Sequence, residues 1–172
     1  MLVAENQFEQ ALRRRLPAIT IRPELPSDGD FLEQLFIACS PMDGILPEPM
    51  LRQQAMFQQI GHQTEFPDAM RRIVMLGDRD VGRIVLDWSG AGSCLCVDIA
   101  IMPSAQRGGI GSHLLAAWIE VADALGRPCS LQVTADNPAW RIYGLLGFVP
   151  REDGGQQGPI VDLTRPVTPQ RA

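Results

Sequence analysis

The sequence predicts an α/β fold with a mixed, mostly antiparallel sheet of six to seven strands and helices on both faces. Three observations lead to this prediction. β-Branched segments joined by short turns over residues 72–101 are typical of an antiparallel meander. Strand and helix patterns alternate before and after this meander. Its last strand leads through a glycine-rich loop directly into a helix.

The segments before the meander are expected to be mainly helical. Apolar residues fall on one side of a helix over residues 5–16, with arginines at its end. Residues 1–18 are therefore an N-terminal extension, either this helix with a solvated end or a dangling segment. Next we expect a strand at 19–22, a helix that Ser27 or Asp28 caps and that ends near 39, a loop at 40–49, and a helix over about 48–61.

Strands and helices are expected to alternate after the meander. The spacing of a buried helix face is shared by Leu114, Leu115, Trp118, Val121 and Leu125, and Gly126 ends that helix. We then expect a strand at 128–134, a short helix at 136–146, a strand at 147–152, a turn at 154–158 and a strand at 159–165. The prediction is one domain over residues 19–166, followed by a tail at 167–172.

Composition excludes several classes of function. A chain of 172 residues, 45% hydrophobic and 20% charged, is typical of one soluble globular domain. The net charge is −5, and the 15 basic residues are all arginines that form no continuous basic stripe, which argues against nucleic-acid binding. The sequence has neither an apolar run long enough for a membrane span nor a signal-type start. We therefore expect a cytoplasmic protein without membrane partners.

The cysteines and histidines do not form a metal-binding pattern. Four cysteines fit a reducing compartment as free, mostly buried thiols. Cys94 and Cys96 share one strand face, but neither of the two histidines lies near them in sequence. The sequence therefore predicts no metal site.

A candidate anion site lies in the glycine-rich loop. The free N–H groups at a helix N-terminus attract anions, and Gly108, Gly109 and Gly111 allow a phosphate to approach the backbone. Arg107 adds a permanent positive charge, while Gln106 and Ser112 add neutral donors at the two edges of the loop. The spacing is neither that of a Rossmann loop nor that of a Walker loop. These residues alone leave open both a phosphate cradle and a merely tight loop.

Two motifs resemble those of one enzyme family. The residues from Gln106 to Gly111, Q-R-G-G-I-G after D-I-A-I-M-P, are similar to motif A of the GNAT superfamily of acetyl-CoA-dependent N-acetyltransferases. Residues 137–148, N-P-A-W-R-I-Y-G-L-L-G-F, resemble its motif B. Both motifs occur in the family's order, and the expected element order agrees over residues 19–165. The sequence is identified as a member of this superfamily, which implies the GNAT fold.

The resemblance implies where acetyl-CoA binds as cosubstrate. The strands at 94–101 and 128–134 are then parallel and splay apart, and the pantetheine arm lies along the backbone of Ala100, Ile101 and Met102. An N–H near Ile101 polarises the thioester carbonyl. Asn137 holds the arm, caps the helix, or does both. The pyrophosphate binds the loop residues Gln106, Arg107, Gly108, Gly109, Gly111 and Ser112.

Two residues are the candidate catalytic groups. Tyr143, the only tyrosine, lies where the family has its general acid, and a phenol is protonated at neutral pH; the alternative is a structural tyrosine. Asp98 takes the amine proton through a water chain, or it is a carboxylate already paired with an arginine or the backbone. Related enzymes often have a glutamate on the strand at 128–134, where this chain has Gln132 and Thr134.

Other polar residues have less specific interpretations. His62 is expected to close the second of the two helices before the meander as a charge partner, and His113 to face solvent. The family recognises its acceptor through segments that correspond here to residues 31–59 and 154–159. In the first of these, Glu33, Asp43 and Glu48 either meet a cationic amine or interact with helix dipoles.

The expected function is transfer of an acetyl group from acetyl-CoA to a primary amine by direct attack in a ternary complex. The acceptor is a small molecule or a peptide, and a homodimer is possible. Because the usual glutamate is missing, a non-catalytic CoA-binding or protein-interaction module of the same fold stays open. The antiparallel meander disfavours an unrelated nucleotide-binding α/β protein.

Overall fold

The computed structural model describes residues 2–151 and 159–168. In this part of the chain the elements are α1 Leu2–Arg15, β1 Ile19–Pro23, α2 Gly29–Cys39, α3 Glu48–Glu65, β2 Met70–Leu76, β3 Arg79–Asp87, β4 Cys94–Ile101, α4 Ile110–Ala124, β5 Cys129–Thr134, α5 Trp140–Leu145, β6 Val149–Pro150 and β7 Ile160–Arg165. Short 3-10 turns, Pro26–Asp28 and Pro103–Ala105, precede α2 and the glycine-rich loop. The predicted turn at 154–158 lies outside the described residues.

The seven strands form one sheet in the order β1-β2-β3-β4-β5-β7-β6. Only the central pair, β4 and β5, is parallel, and α4 makes the crossover between them. The other neighbouring strands are antiparallel. The predicted mixed, mostly antiparallel sheet is thereby confirmed.

Helices cover both faces of the sheet. On β3, Ile84 and Leu86 belong to the core that also contains residues of α1 and α4. Side chains alternate along a strand, so Arg83 and Val85 point to the opposite face. That face is covered by α2 and α3, which bury Leu35 and other residues outside the first core. The site described below lies where these two layers meet the central strands.

The N-terminal helix is part of this fold. Phe8 and Leu12 of α1 are buried in the same core as Trp118 of α4. Arg14 and Arg15 both bind Glu120 of α4, at 2.5 Å and 2.8 Å. The helical alternative is correct and the dangling segment is wrong, because the apolar stripe of α1 has a partner that lies far away in sequence.

The third helix is longer than predicted, and a residue of the sheet holds its end. Arg71 of β2 donates from Nη2 to the carbonyls of His62 (2.9 Å) and Phe66 (2.7 Å), and from Nη1 to that of Ala69 (3.0 Å). Carbonyls near a helix C-terminus have no partner within the helix, so these bonds stabilise the last turn. The prediction that α3 ends near residue 61 is wrong, because it continues to Glu65 and includes His62.

The two central strands separate after a short paired stretch. They pair only from Cys94 with Cys129 to Cys96 with Leu131. In the register between β3 and β4, Val85 lies opposite Asp98 and Leu86 opposite Cys96, so Val97 is the extra residue of a β-bulge. The bulge therefore coincides with the start of the gap. The splay that the family resemblance implies is confirmed.

Candidate active site

The glycine-rich loop presents a run of free backbone donors. Arg107 has φ +65° and Gly109 has φ +79°, whereas the φ of Gly108 between them is not positive. Such alternation makes successive N–H groups converge into an anion-binding nest. Within the part of the chain that the structure describes, the backbone N–H groups of residues 107–112 donate to no other backbone group and no side chain.

The smaller residues of the loop leave space beside these donors. A Cβ added at Gly111 would meet no atom within 4 Å, and one at Gly108 would come only within 3.9 Å of a carbonyl. Packing within the protein therefore does not require glycine at either position. Ser112 lies in the first turn of α4, and Gln106 donates from Nε2 to the carbonyl of Ile101 at 2.7 Å. That bond fixes the loop against the end of β4.

Successive residues of β4 direct their backbone N–H and C=O groups alternately toward β3 and into the gap. Met102 donates its N–H to the carbonyl of Val81 at 2.8 Å, so its backbone is directed toward β3. By the alternation of an antiparallel ladder, Ala100 also faces β3, while Ile99 and Ile101 direct their N–H and C=O groups into the gap. The carbonyl of Ile101 accepts from Gln106 and from the thiol of Cys39. Of the three residues predicted for the pantetheine arm, only Ile101 directs its backbone into the gap.

Motif B brings a buried phenol to the same region. Asn137 accepts the N–H of Ala139 on Oδ1 at 2.8 Å, which stabilises the turn before α5. Tyr143 of α5 is only 6% exposed and packs edge-on against Phe148. Burial raises the pKa of Tyr143 far above its ordinary value, with smaller contributions from Cys96 and the charge of Asp98. The phenol is therefore fully protonated at neutral pH.

A buried ion network includes Asp98 on the opposite face. Arg83 of β3 is 4% exposed and donates from Nε and Nη2 to Glu24 at 2.7 Å and 3.2 Å. From Nη1 it donates to Oδ2 of Asp98 at 3.2 Å. Asp98 is thus paired with an arginine, which was one of the two interpretations of this residue from the sequence. A proton on Asp98 would leave Arg83 with less counter-charge in a buried position.

A cavity of about 370 Å³ lies on the α3 side of the gap. Its floor includes Cys96 and Leu131, the last paired residues of the central strands, and Val97 and Gln132 just beyond them. The polar side chains that line its walls are His62, Glu65, Ser130, Arg151 and Asp162. Gln132 donates to Asp162 at 2.9 Å. The cavity thus lies directly over the point at which β4 and β5 part.

The acidic residues suggested for the acceptor, and His113, do not line this cavity. Glu33 and Glu48 both bind Arg52 at 2.5 Å, and they line a second cavity together with Asp43. His113 lies against the loop, because a Cβ at Gly109 would be 3.5 Å from its ring. Of the C-terminal acceptor segment, residues 154–158 lie outside the described residues.

Sequence reasoning missed the residues that surround Asp98. Arg83 reads in the sequence as one polar residue within a strand, and Glu24 as part of a proline-rich turn. The available signal for Arg83 was a single charged residue within the otherwise apolar stretch at 81–86. The position of His62 in the cavity depends on Arg71, so no local pattern could have shown it.

The described residues contain neither a membrane-spanning helix nor a group of metal ligands. Over residues 2–151 and 159–168, no helix has both the length and the apolar character that a membrane span requires. Over the same residues, no three His, Cys, Asp or Glu side chains are grouped as metal ligands.

Part of the chain matches the sequence model of a known domain. Residues 71–150, which include the gap, the loop and Tyr143, match the sequence model of the acetyltransferase (GNAT) domain. No curated protein matches the chain significantly in sequence.

Several solved structures share the fold. One is the PaiA N-acetyltransferase from Thermoplasma acidophilum in complex with coenzyme A, with TM-score 0.64 and 18% identity over 86% of this chain and 98% of that one. Ard1 from Thermoplasma volcanium has TM-score 0.61 and 20% identity, over 88% and 99%. The ribosomal-protein-S18-alanine N-acetyltransferase from Escherichia coli has TM-score 0.61 and 18% identity, over 89% and 96%. The match over residues 71–150 and the shared fold make this chain similar to the GNAT acetyltransferases.

Proposed function

We propose that this protein transfers the acetyl group of acetyl-CoA to a primary amine by direct attack in a ternary complex. The observation that carries the proposal is the run of free N–H groups over residues 107–112. These donors, the positive end of α4 and the charge of Arg107 form a site for a pyrophosphate. The free edge of β4 at Ile99 and Ile101 offers hydrogen bonds to an amide chain such as pantetheine.

Ile101 and Tyr143 supply the chemistry on the cofactor side of the gap. The N–H of Ile101 stabilises the negative charge that develops on the thioester oxygen during attack, an effect worth roughly 3–4 kcal/mol when the donor is preorganised. Tyr143 donates its proton to the departing sulfur, since its hydroxyl is protonated at neutral pH. Asn137 holds the turn that positions α5 and contacts the pantetheine arm.

The acceptor is the amine of a small molecule or a peptide. Among the neighbours in fold, one is described as acting on an alanine of a ribosomal protein, which is a peptide acceptor. The cavity between α3 and the central strands provides the approach, because it reaches the gap from the side opposite Tyr143. Acidic side chains at its rim, Glu65 and Asp162, attract a cationic amine.

The proposal is tested by thermal shift with acetyl-CoA, CoA and ATP, followed by thiol release from acetyl-CoA with spermidine, tyramine, L-lysine and an alanine-first peptide. We expect both CoA ligands to raise the melting temperature and ATP to have little effect. At least one amine should release thiol. No stabilisation by either CoA ligand would refute the proposal, and stabilisation without thiol release would favour a non-catalytic CoA-binding module.

Tyr143→Phe is expected to lower kcat by about 100-fold while the Kd for acetyl-CoA changes less than about threefold. The substitution keeps the ring that packs on Phe148 and removes only the hydroxyl that protonates sulfur. Steady-state kinetics and calorimetric titration measure the two quantities. Phe148→Leu is the matched control, since it disturbs the packing and spares the hydroxyl. Equal losses of kcat and affinity in Tyr143→Phe would show that the tyrosine is structural.

A further inference from the structure

His62 lies over the start of the gap between the central strands. Its ring lines the same cavity as Cys96, Val97 and Gln132, where β4 and β5 lose their pairing. Arg71 fixes the position by binding the carbonyl of His62 from the adjacent sheet. A histidine at this point is reached by whatever enters the cavity toward the thioester.

One nitrogen of this imidazole is available to a substrate. Nδ1 is enclosed and has no hydrogen-bond partner within the part of the chain that the structure describes. Nε2 is not among the enclosed, unpartnered atoms there, and the side-chain hydrogen bond that His62 receives goes to its carbonyl. With its proton on Nδ1, the neutral ring presents the Nε2 lone pair as an acceptor.

We propose that His62 accepts the proton that the acceptor amine must lose before it attacks acetyl-CoA. The inference rests on the proposed acetyl transfer and assigns its missing base. Tyr143 and His62 lie on opposite faces of the sheet, with the gap between them. Tyr143 therefore donates a proton to the sulfur from one face of the sheet, and His62 accepts a proton from the amine on the other face.

The charges around the ring keep it neutral and ready to accept a proton. Burial is the largest influence and lowers the pKa of His62, and Arg83 and Arg71 lower it further. Asp98 and Glu65 act in the opposite direction. Across the cavity, Arg151 and Asp162 are the other charged residues that line it within residues 2–151 and 159–168.

The other groups near the gap are poorer proton acceptors. Asp98 is committed to Arg83, and Asp162 receives a hydrogen bond from Gln132. Glu65 is exposed at the end of α3, where water solvates its carboxylate. Of these groups, His62 is the one that lines the gap and has a nitrogen without a hydrogen-bond partner among the described residues.

The protons and bonds balance over one turnover. An ammonium acceptor gives its first proton to Nε2 of His62, which later releases it to water. The amine nitrogen then forms a bond to the acetyl carbon, and the carbon–sulfur bond breaks. The thiolate takes the proton of Tyr143, and the second proton of the nitrogen returns to the tyrosinate. The products are the acetylated amine, CoA thiol and one proton.

The test is the pH dependence of thiol release by His62→Gln, with the most active amine of the panel and saturating acetyl-CoA. We expect kcat at pH 7 to fall by about 100-fold or more, with an unchanged thermal shift by acetyl-CoA. The wild-type rate should rise through an apparent pKa below about 6.5. In the variant this rise of the rate at low pH should disappear. The rate should instead increase toward pH 9 as the fraction of unprotonated amine increases. Imidazole should restore part of the activity of His62→Ala.

The other histidine provides a matched control. His113→Gln should keep the wild-type limb of the pH profile, since only two histidines are present. A His62→Gln enzyme with the wild-type rate and limb would overturn the inference and leave the proposed function intact. Absence of thiol release by the wild-type protein would defeat both.

A measurement on the wild-type protein covers the case in which the variants do not fold. NMR titration of the imidazole Cε1–H signals, assigned with His113→Gln, should give a midpoint for His62 below about 6.5. A midpoint above about 7.5 would overturn the inference, because the ring would then carry a proton before the amine arrives.

Discussion

Arg83→Met is expected to lower the free energy of unfolding by about 3–5 kcal/mol. Arg83 is buried between β3 and the layer of α2 and α3, where it binds Glu24 through two nitrogens and Asp98 through a third. Methionine fills much of the same volume without charge. The variant therefore leaves two carboxylates in a poorly hydrated place without their counter-charge. Urea denaturation measures the loss directly.

A second arginine with two carboxylate partners provides the control. Arg52 bridges Glu33 and Glu48, but its side chain is 54% exposed. Arg52→Met should cost no more than about 1 kcal/mol, because water solvates the charges that remain. Adding Glu24→Gln to Arg83→Met should recover part of the stability. If the two arginine variants were equally mild, the network on β3 would contribute no more than a surface pair.

Gly109→Val is expected to weaken acetyl-CoA binding by about 100-fold, which corresponds to roughly 2.7 kcal/mol. Gly109 has φ +79°, a conformation that a β-branched residue adopts only with strain of about 1–3 kcal/mol. Relief of this strain rotates the peptide groups that hold the N–H donors of residues 107–112 in one direction. Calorimetric titration with acetyl-CoA and with CoA measures the change.

Gly77→Val separates backbone strain from loss of the binding site. Gly77 has φ +60° in the turn between β2 and β3, outside the loop, and a Cβ there would meet no atom within 4 Å. We expect this variant to lose stability to a similar extent and to bind acetyl-CoA as the wild type does. Wild-type affinity in Gly109→Val would show that the loop is not the pyrophosphate site.

The sequence predicted the sheet and the loop because their signals are local. β-Branched runs and the turns between them define the meander, and the glycines mark the start of α4 in the same short stretch. The gap between β4 and β5 came from resemblance to a family. The structure adds its physical correlate, the bulge at Val97. No residue pattern within one strand shows where its neighbour departs.

The acceptor side could not be predicted in the same way. Glu24 and Arg83 are separated by 59 positions. Such pairs form only when the fold brings the two segments together. The length of α3 has the same origin, since the donors that complete its last turn belong to β2. Gly61 was a reasonable place to end the helix on local propensity, but tertiary contacts extend it.

The bonds from Arg71 make the last turn of α3 and the strand β2 one cooperative unit. Three carbonyls between His62 and Ala69 accept hydrogen bonds from one guanidinium whose backbone is in the sheet. The final turn of a surface helix ordinarily frays at little cost. Here, fraying would also break the part-buried hydrogen bonds from Arg71, so we expect this turn to fray less readily than a helix end without such a partner. The wall of the cavity that carries His62 is therefore anchored to the sheet by these bonds.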